Sequence, residues 1–104
     1  MRELEQLSID IIDDDGATPL NLASRKGHVD VVKLLLNANA NIETADKYER
    51  TPLSWAAVNG HVDVVKLLLN AKANLEAEDK NERTALYFAE LFGHKEVLNL
   101  LRIG

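Results

Sequence analysis

The chain of 104 residues contains no cysteine, two prolines and few aromatic side chains, which make up 5 % of the sequence. Without cysteine it has no disulfide framework, no cysteine-based zinc site and no thiol nucleophile. It also lacks a run of about 18 apolar residues, which excludes a transmembrane helix. The shortage of aromatic residues means that any core must consist mainly of leucine, valine, isoleucine and alanine.

Basic residues are also scarce, because 12 Lys and Arg against 17 Asp and Glu give a formal net charge of −5. Proteins that bind nucleic acid contact phosphates through a basic face, so this charge argues against a nucleic-acid partner. Residues 1–15 are acidic and do not form a secretory signal, which requires a basic start and an apolar stretch. We expect an intracellular protein that binds neither nucleic acid nor a membrane.

Catalytic patterns are absent as well: there is no Gly-rich phosphate loop, Ser-His-Asp pattern or HExxH motif. The densest carboxylate run, Asp13-Asp14-Asp15, is typical of a solvated loop, since an acid–base pair requires a cleft and separated pKa values. The histidines are too dispersed to form a metal site, which requires three or four converging ligands, and a structural role is favoured. We therefore expect no enzyme activity and no cofactor. The three histidines are His28, His61 and His94.

What the sequence does contain is a repeat of 33 residues. Thr18-Pro19-Leu20 recurs as Thr51-Pro52-Leu53 and, with one change, as Thr84-Ala85-Leu86. The Gly-His pairs that begin at positions 27, 60 and 93 keep the same period. Residues 27–59 and 60–92 agree at 22 of 33 positions, which indicates repeated structural units.

Each unit is predicted to form a helix, a tight turn, a second helix and an extended arm. Thr18 and Thr51 are candidate N-caps, and a proline follows each of them at the first helical position. Gly27 is expected to end the first helix, because glycine adopts the left-handed conformation at low cost. The second helix, residues 29–36, has an apolar face too wide for water, so neighbours are expected to cover both of its sides.

On these residues the chain resembles the ankyrin repeat family. The family pattern of Asp, Gly, Thr-Pro-Leu, paired Ala, Gly-His and Val-Val-x-Leu-Leu lies on residues 13–36 and 46–69, and more loosely on 79–101. The resemblance implies an all-α ankyrin repeat solenoid, in which stacked helix-turn-helix units carry hairpin-like fingers. We predict an N-terminal cap segment and arm followed by three repeats, the last with a truncated arm. The predicted segments are 1–15, 16–48, 49–81 and 82–104.

Departures from the family pattern generate further expectations. Glu49 and Glu82 stand where the family and Gly16 have glycine, so a left-handed backbone there would cost about 1–2 kcal/mol each. Residues 8–15 align with the arm at 41–48 and are predicted to be the arm of a missing repeat, after a short helix over residues 1–7. The chain is therefore a natural repeat protein, a piece of a longer array, or a minimal or designed one.

In ankyrin proteins, partners usually contact the fingertips and the exposed inner face of the first helices. These positions differ between the units of this chain while the scaffold positions repeat, which favours a contact surface over an ordinary solvated one. Trp55 and Phe88 match Leu22 and are predicted to belong to the core rather than to a ligand pocket. The predicted partner-binding residues are Asp14, Asp15, Arg25, Lys26, Lys47, Tyr48, Arg50, Val58, Asn59, Lys80, Asn81, Arg83, Leu91 and Phe92.

The resemblance thus implies a monomeric, non-catalytic module that binds a protein partner through this surface. The alternative is a structural scaffold that self-associates through its end surfaces, where Leu91 and Phe92 form an apolar patch. We expect Lys47, Arg50 and Arg83 to serve binding alone, so that replacing them together by glutamate leaves the thermal melt almost unchanged.

Overall fold

The computed structural model describes residues 9–103, and the predicted short helix over residues 1–7 lies outside that range. The described part of the chain is helical and contains no strand, which confirms the all-α fold class. No helix in residues 9–103 has the length and apolar character needed to cross a bilayer. The helices form three pairs: α1 (Pro19–Lys26) with α2 (Val29–Asn37), α3 (Pro52–Asn59) with α4 (Val62–Asn70), and α5 (Ala85–Leu91) with α6 (Lys95–Ile103).

The three pairs stack side by side in an open row. Helices α1, α3 and α5 contact one another in sequence and form the inner row, while α2, α4 and α6 form the outer row. Leu20, Leu53, Leu68 and Val97 belong to one continuous core that runs through all three pairs. Full burial of such a side chain stabilises the fold by about 1.5–3 kcal/mol. Each predicted repeat contains one helix pair. The exact residues at which the repeats begin and end stay a prediction.

The outer row is covered unequally. Val64 and Val65 of α4 are both fully buried, whereas the matching residues of α2 differ, with Val32 buried and Val31 43 % exposed. Leu34 of α2 is 68 % exposed. Among the described helices, α4 packs between α2 and α6 but α2 contacts only α4 in this row. The expectation that both sides of the second helix are covered is therefore confirmed for α4, whereas residues 9–103 supply a neighbour on only one side of α2.

The helix ends follow the predicted signals. Each threonine hydroxyl at the start of an inner helix accepts a hydrogen bond of 3.2 Å from the backbone N–H three residues on. This pattern confirms the predicted caps at Thr18 and Thr51 and adds one at Thr84. Gly27 and Gly60 then end α1 and α3 in the left-handed conformation.

Histidines join each pair to the one before it. His61 Nε2 lies 2.9 Å from the carbonyl oxygen of Arg25, and it must carry the proton because a carbonyl only accepts. Its ring packs against Gly27, where an added Cβ would lie 2.6 Å from Nδ1. His94 repeats both contacts one unit later, against the end of α3 and Gly60. The structural role predicted for these two histidines is confirmed.

Tight fingers connect the pairs, and each is closed by an aspartate. Asp46 Oδ1 accepts hydrogen bonds from the backbone N–H groups of Tyr48 and Arg50, at 2.9 and 3.1 Å. Asp13 and Asp79 close their own fingers through the same two bonds. Asp13 lies in an exposed loop, as predicted, and its side chain also holds the finger together.

The segment before the first finger makes the contact expected from its alignment with the next arm, but its backbone conformation differs from the prediction. Ile9 and Asp10 are helical, whereas the matching residues of the next arm form a turn. Asp10 Oδ1 nevertheless accepts the backbone N–H of Asn41, just as the carboxylate of Glu43 accepts that of Asn74. The alignment with a preceding arm is therefore correct for these contacts, and the expectation of an extended backbone at residues 9 and 10 is wrong.

The left-handed backbone expected at Glu49 and Glu82 is present, and Asn39 and Lys72 share it. Glu49 and Glu82 have φ values of 62° and 64°, and Asn39 and Lys72 have values of 65° and 69°. Side chains with a Cβ are strained in this conformation, so the fold forms despite four unfavourable local geometries.

We predict that Glu49→Gly raises the melting temperature by a few degrees. Glycine relieves strain of about 1–2 kcal/mol, of which its greater freedom in the unfolded chain offsets roughly half. The measurement is a thermal melt followed by circular dichroism. Glu78→Gly, in an arm position without a positive φ, is the control and should lower or preserve the melting temperature. An unchanged melt for Glu49→Gly would contradict the strain argument.

We also predict that Gly60→Ala destabilises the chain more than Gly93→Ala. Both glycines have nearly the same φ, 71° and 70°, so the left-handed strain is matched. An added Cβ at Gly60 would lie 2.6 Å from His94 Nδ1, whereas at Gly93 it would meet nothing within 4 Å. The displaced histidine should lose its bond to the carbonyl of α3, which adds about 1 kcal/mol. Equal losses in urea unfolding would show that the histidine contact contributes nothing.

Candidate interaction surface

The predicted partner-binding residues lie on the fingers and the inner row, and most of them face solvent. Eleven of the fourteen are exposed, and Arg50, Val58 and Arg83 are half-buried. Asp14, Lys26 and Asn81 make no side-chain hydrogen bond or ion pair within residues 9–103. Most of the predicted residues are therefore accessible to a partner, but the half-buried ones also make contacts within the chain.

The fingertips form a continuous row because adjacent fingers are joined through the backbone. Lys47 N–H donates to the carbonyl oxygen of Asp15 at 2.8 Å, and Lys80 N–H donates to that of Tyr48 at 3.0 Å. Lys47 Nζ also lies 2.9 Å from Asp15 Oδ1, and this hydrogen bond raises the pKa of Lys47 above its ordinary value. The Tyr48 ring is 48 % exposed, with Lys47 Nζ 5.2 Å from its centroid.

Trp55 and Phe88 form the floor of the inner surface. They are 8 % and 2 % exposed, so the prediction that they are buried is confirmed. The indole Nε1–H of Trp55 donates to Asp46 Oδ2 at 2.8 Å, which ties α3 to the finger that precedes it. Arginine side chains cover these two rings, a contact that the sequence pattern did not predict.

Three guanidinium groups lie over the two rings. The Cζ atom of Arg25 is 4.4 Å from the centroid of Trp55, and that of Arg50 is 4.8 Å from the same ring. Arg50 is also 5.0 Å from the ring of Phe88, as is Arg83. We call these five residues the arginine–aromatic ladder. Each such contact contributes about 0.5–2 kcal/mol, depending on how far the site is desolvated.

A single buried carboxylate anchors two of these arginines. Asp79 Oδ2 accepts hydrogen bonds from Nε of Arg50 at 3.3 Å and Nε of Arg83 at 3.0 Å. Burial acts to raise the pKa of Asp79, but the backbone N–H groups of Arg83 and Asn81 and the two guanidinium groups outweigh it. The pKa of Asp79 is therefore lowered, and the carboxylate stays ionised at neutral pH.

This arrangement corrects the expectation that Arg50 and Arg83 serve binding alone. Their side chains are only 19 % and 30 % exposed and belong to the scaffold. Glutamate at either position would place a carboxylate beside that of Asp79, so the joint replacement is expected to lower stability. Lys47 remains at the surface, where its side chain is 52 % exposed.

Other residues of the predicted set are divided between scaffold and surface. Asn59 Nδ2 donates to the carbonyl oxygen of Arg25 at 2.8 Å and so helps to join two pairs. Leu91 and Phe92 are 55 % and 52 % exposed, and the ring of Phe92 stacks on Phe88 at 6.4 Å. Asn21, which follows the first Thr-Pro-Leu motif, bridges α1 to the next finger, because its Nδ2 group donates to two backbone carbonyls at 3.3 Å.

Comparison with known proteins identifies what these features resemble. The sequence profile of the family described as "Ankyrin repeats (3 copies)" matches residues 2–79 and 44–103. Cortactin-binding protein 2 of Dasypus novemcinctus is 49 % identical over 43 residues, and that of Mus musculus is 46 % identical over the same length. The match covers 41 % of this chain but only 3 % of either relative. The chain thus matches a small part of these curated relatives.

We predict that Asp79→Asn lowers the free energy of unfolding by about 2 kcal/mol at neutral pH, because hydrogen bonds to a charged group are lost. Because the pKa of Asp79 is lowered in the folded chain, its ionised carboxylate stabilises the fold fully above the ordinary Asp pKa of about 3.9. This stabilisation is lost as the pH falls through the lower pKa that Asp79 has in the folded chain. Urea unfolding between pH 7 and pH 2 should therefore show the variant and parent converging at low pH.

Asp14→Asn is the matched control for this experiment, since Asp14 is exposed and has no hydrogen bond within the described range. It should leave the unfolding free energy nearly unchanged. A constant difference between Asp79→Asn and the parent across the pH range would contradict the role assigned to the ionised carboxylate.

Proposed function

Because this chain belongs to the ankyrin repeat family, we propose that it is a non-catalytic module that holds a protein partner against its fingertips and inner row of helices. The observation that carries the proposal is the exposed row of fingertips, in which Asp15, Lys47, Tyr48 and Lys80 are brought together by backbone hydrogen bonds between fingers. Aromatic and charged side chains on a fixed backbone are the composition that interfaces favour.

The two faces of the stack differ in a way that supports this choice. The outer helices α2 and α4 have the same nine-residue sequence, Val-Asp-Val-Val-Lys-Leu-Leu-Leu-Asn, so the outer row does not distinguish the first two repeats. The inner helices α1 and α3 differ at most positions after their shared Pro-Leu start. A partner that distinguishes this chain from other stacks would find distinctive side chains on the inner side.

The relatives support a protein as the class of partner. Their name says that they bind cortactin, but the similar segment is 3 % of their length. Since fold alone does not transfer a specific partner, we propose the class and not cortactin itself. The intracellular location stays a prediction.

A second candidate function rests on the exposed side of the last helix pair. Leu53 and Ser54 of α3 are buried beneath α5, whereas the matching Leu86 and Tyr87 of α5 are 37 % and 44 % exposed. An exposed apolar patch of this kind often marks an association surface. We therefore keep self-association through the end of the stack as the alternative. The exposed apolar residues of this pair are Leu86, Tyr87, Leu91, Phe92 and Ile103.

For the leading proposal, we predict that replacing Tyr48 and Lys80 together by alanine lowers partner capture by about tenfold or more, since central aromatic side chains dominate binding energy. The variant should melt almost as the parent does, because both side chains are exposed. Capture is measured from a lysate with the immobilised chain. Replacing Lys33 and Lys66 of the outer row by alanine is the control and should leave capture intact.

Equal capture by the parent and the Tyr48/Lys80 variant would argue against a fingertip site. Light scattering across a concentration series tests the alternative. Association that grows with concentration and disappears in Leu91→Lys would favour the structural scaffold, and a constant monomer mass would oppose it.

A further inference from the structure

We propose that the arginine–aromatic ladder binds carboxylate side chains, so that the partner segment held on the inner row is an acidic peptide. The inference rests on the proposed function and specifies which chemical groups of the partner are bound. Its starting point is an imbalance of charge, because the three guanidinium groups of the ladder lie near two buried carboxylates, Asp46 and Asp79, and only Asp79 pairs with them, through Arg50 and Arg83. Arg25 forms no ion pair within residues 9–103.

The arginines also have unused hydrogen-bond donors. Arg50 and Arg83 contact Asp79 through Nε alone, and their terminal Nη groups make no hydrogen bond within the described part of the chain. The side chain of Arg25 makes none either. A guanidinium group presents a planar fork of donors that matches the two oxygens of a carboxylate. The ladder therefore carries donors suited to an anion that the chain itself does not supply.

Stacking on the rings prepares these groups for binding. Arg25 and Arg50 both lie within 5 Å of the Trp55 centroid, and Arg50 and Arg83 are further held by Asp79. A side chain that is already ordered loses less entropy when it forms a new bond. Partial burial also strengthens a charge-assisted hydrogen bond relative to one in open water.

Nearby carboxylates do not compete for Arg25, because each has other partners. Asp15 pairs with Lys47 at 2.9 Å. Asp46 accepts hydrogen bonds from Trp55 and from two backbone N–H groups, and Asp13 also binds two N–H groups. These residues line a small cleft of about 20 Å³ beside Arg25 and Trp55, which has room for roughly one water molecule. A peptide carboxylate would therefore reach the exposed guanidinium of Arg25 from the solvent side rather than enter the cleft.

The charge of the whole chain favours a peptide over a larger polyanion. At a net charge of −5, the chain repels an extended phosphate backbone or an anionic bilayer, whereas a short segment can bind at the ladder alone, where three arginines outnumber the two buried carboxylates of Asp46 and Asp79. The exposed ring of Tyr48 lines the same cleft and offers an apolar contact to such a segment. We therefore commit to Asp- or Glu-containing peptide as the occupant.

Trp55 provides a direct readout, since it is the single tryptophan of the chain and lies under two of the guanidinium groups. The probe is a Glu-rich peptide with blocked ends, titrated into the full chain and followed by tryptophan fluorescence and by calorimetry. Its Gln and Lys counterparts and phosphatidylserine vesicles are titrated in parallel. We expect saturable binding of the Glu peptide and no binding of the other three probes.

Arg25→Gln should weaken binding of the Glu peptide roughly tenfold or more, because a charge-assisted hydrogen bond is lost. Arg25→Lys should restore little of it, since lysine keeps the charge but not the planar fork. Lys33→Gln removes the same charge from the outer row, beside Asp63 and Lys66, and should bind as the parent does. Thermal melts of all three variants exclude a folding defect.

Several outcomes would overturn the inference. These are binding of the Lys peptide or of vesicles in preference to the Glu peptide, no binding of any probe, or equal losses in Arg25→Gln and Lys33→Gln. If the Glu peptide fails while partner capture is still lost in the Tyr48/Lys80 variant, the acidic-peptide inference fails and the proposed function stands. If the Glu peptide fails and the Tyr48/Lys80 variant captures as much partner as the parent, both the acidic-peptide inference and the proposed function fail.

Discussion

Contact between neighbouring helix pairs is the interaction on which the rest of this structure depends. A pair of helices of seven to nine residues is too short to bury its own apolar faces, so each pair relies on the next for its core. Val64, Val65 and Leu68 of the middle pair reach full burial because they have a neighbour on either side. The fingers, the capping threonines and the Gly-His contacts set the distance and angle at which the pairs meet.

The inner surface illustrates how scaffold and binding surface overlap in such a stack. Asp79 closes its own finger with Oδ1 and holds two arginines with Oδ2, so one side chain fixes the backbone and orders the surface above it. Those arginines cover the rings of Trp55 and Phe88, which would otherwise face water. A surface built in this way is rigid before a partner arrives, which reduces the entropy lost on binding.

Much of the fold was predictable because its determinants are local. The threonine caps, the left-handed glycines and the left-handed strain at Glu49 and Glu82 depend on residues adjacent in sequence. The exposure of the fingertips followed from the family pattern. The side-chain partners did not, since Arg50 and Asp79 are 29 residues apart and meet only when two repeats stack. A sequence pattern that marks both as finger residues says nothing about that contact.

The sequence by itself determined the repeat length, the helices with their caps and turns, and the family. These properties follow from short-range sterics and hydrogen bonding and from a period of 33 residues. Only the tertiary structure decided which sides of each helix are covered, which arginines pair with Asp79 and so belong to the scaffold, and that Arg25 has no ion pair within the described residues. Burial and ion pairing depend on distances between repeats, and those distances exist only once the stack has formed.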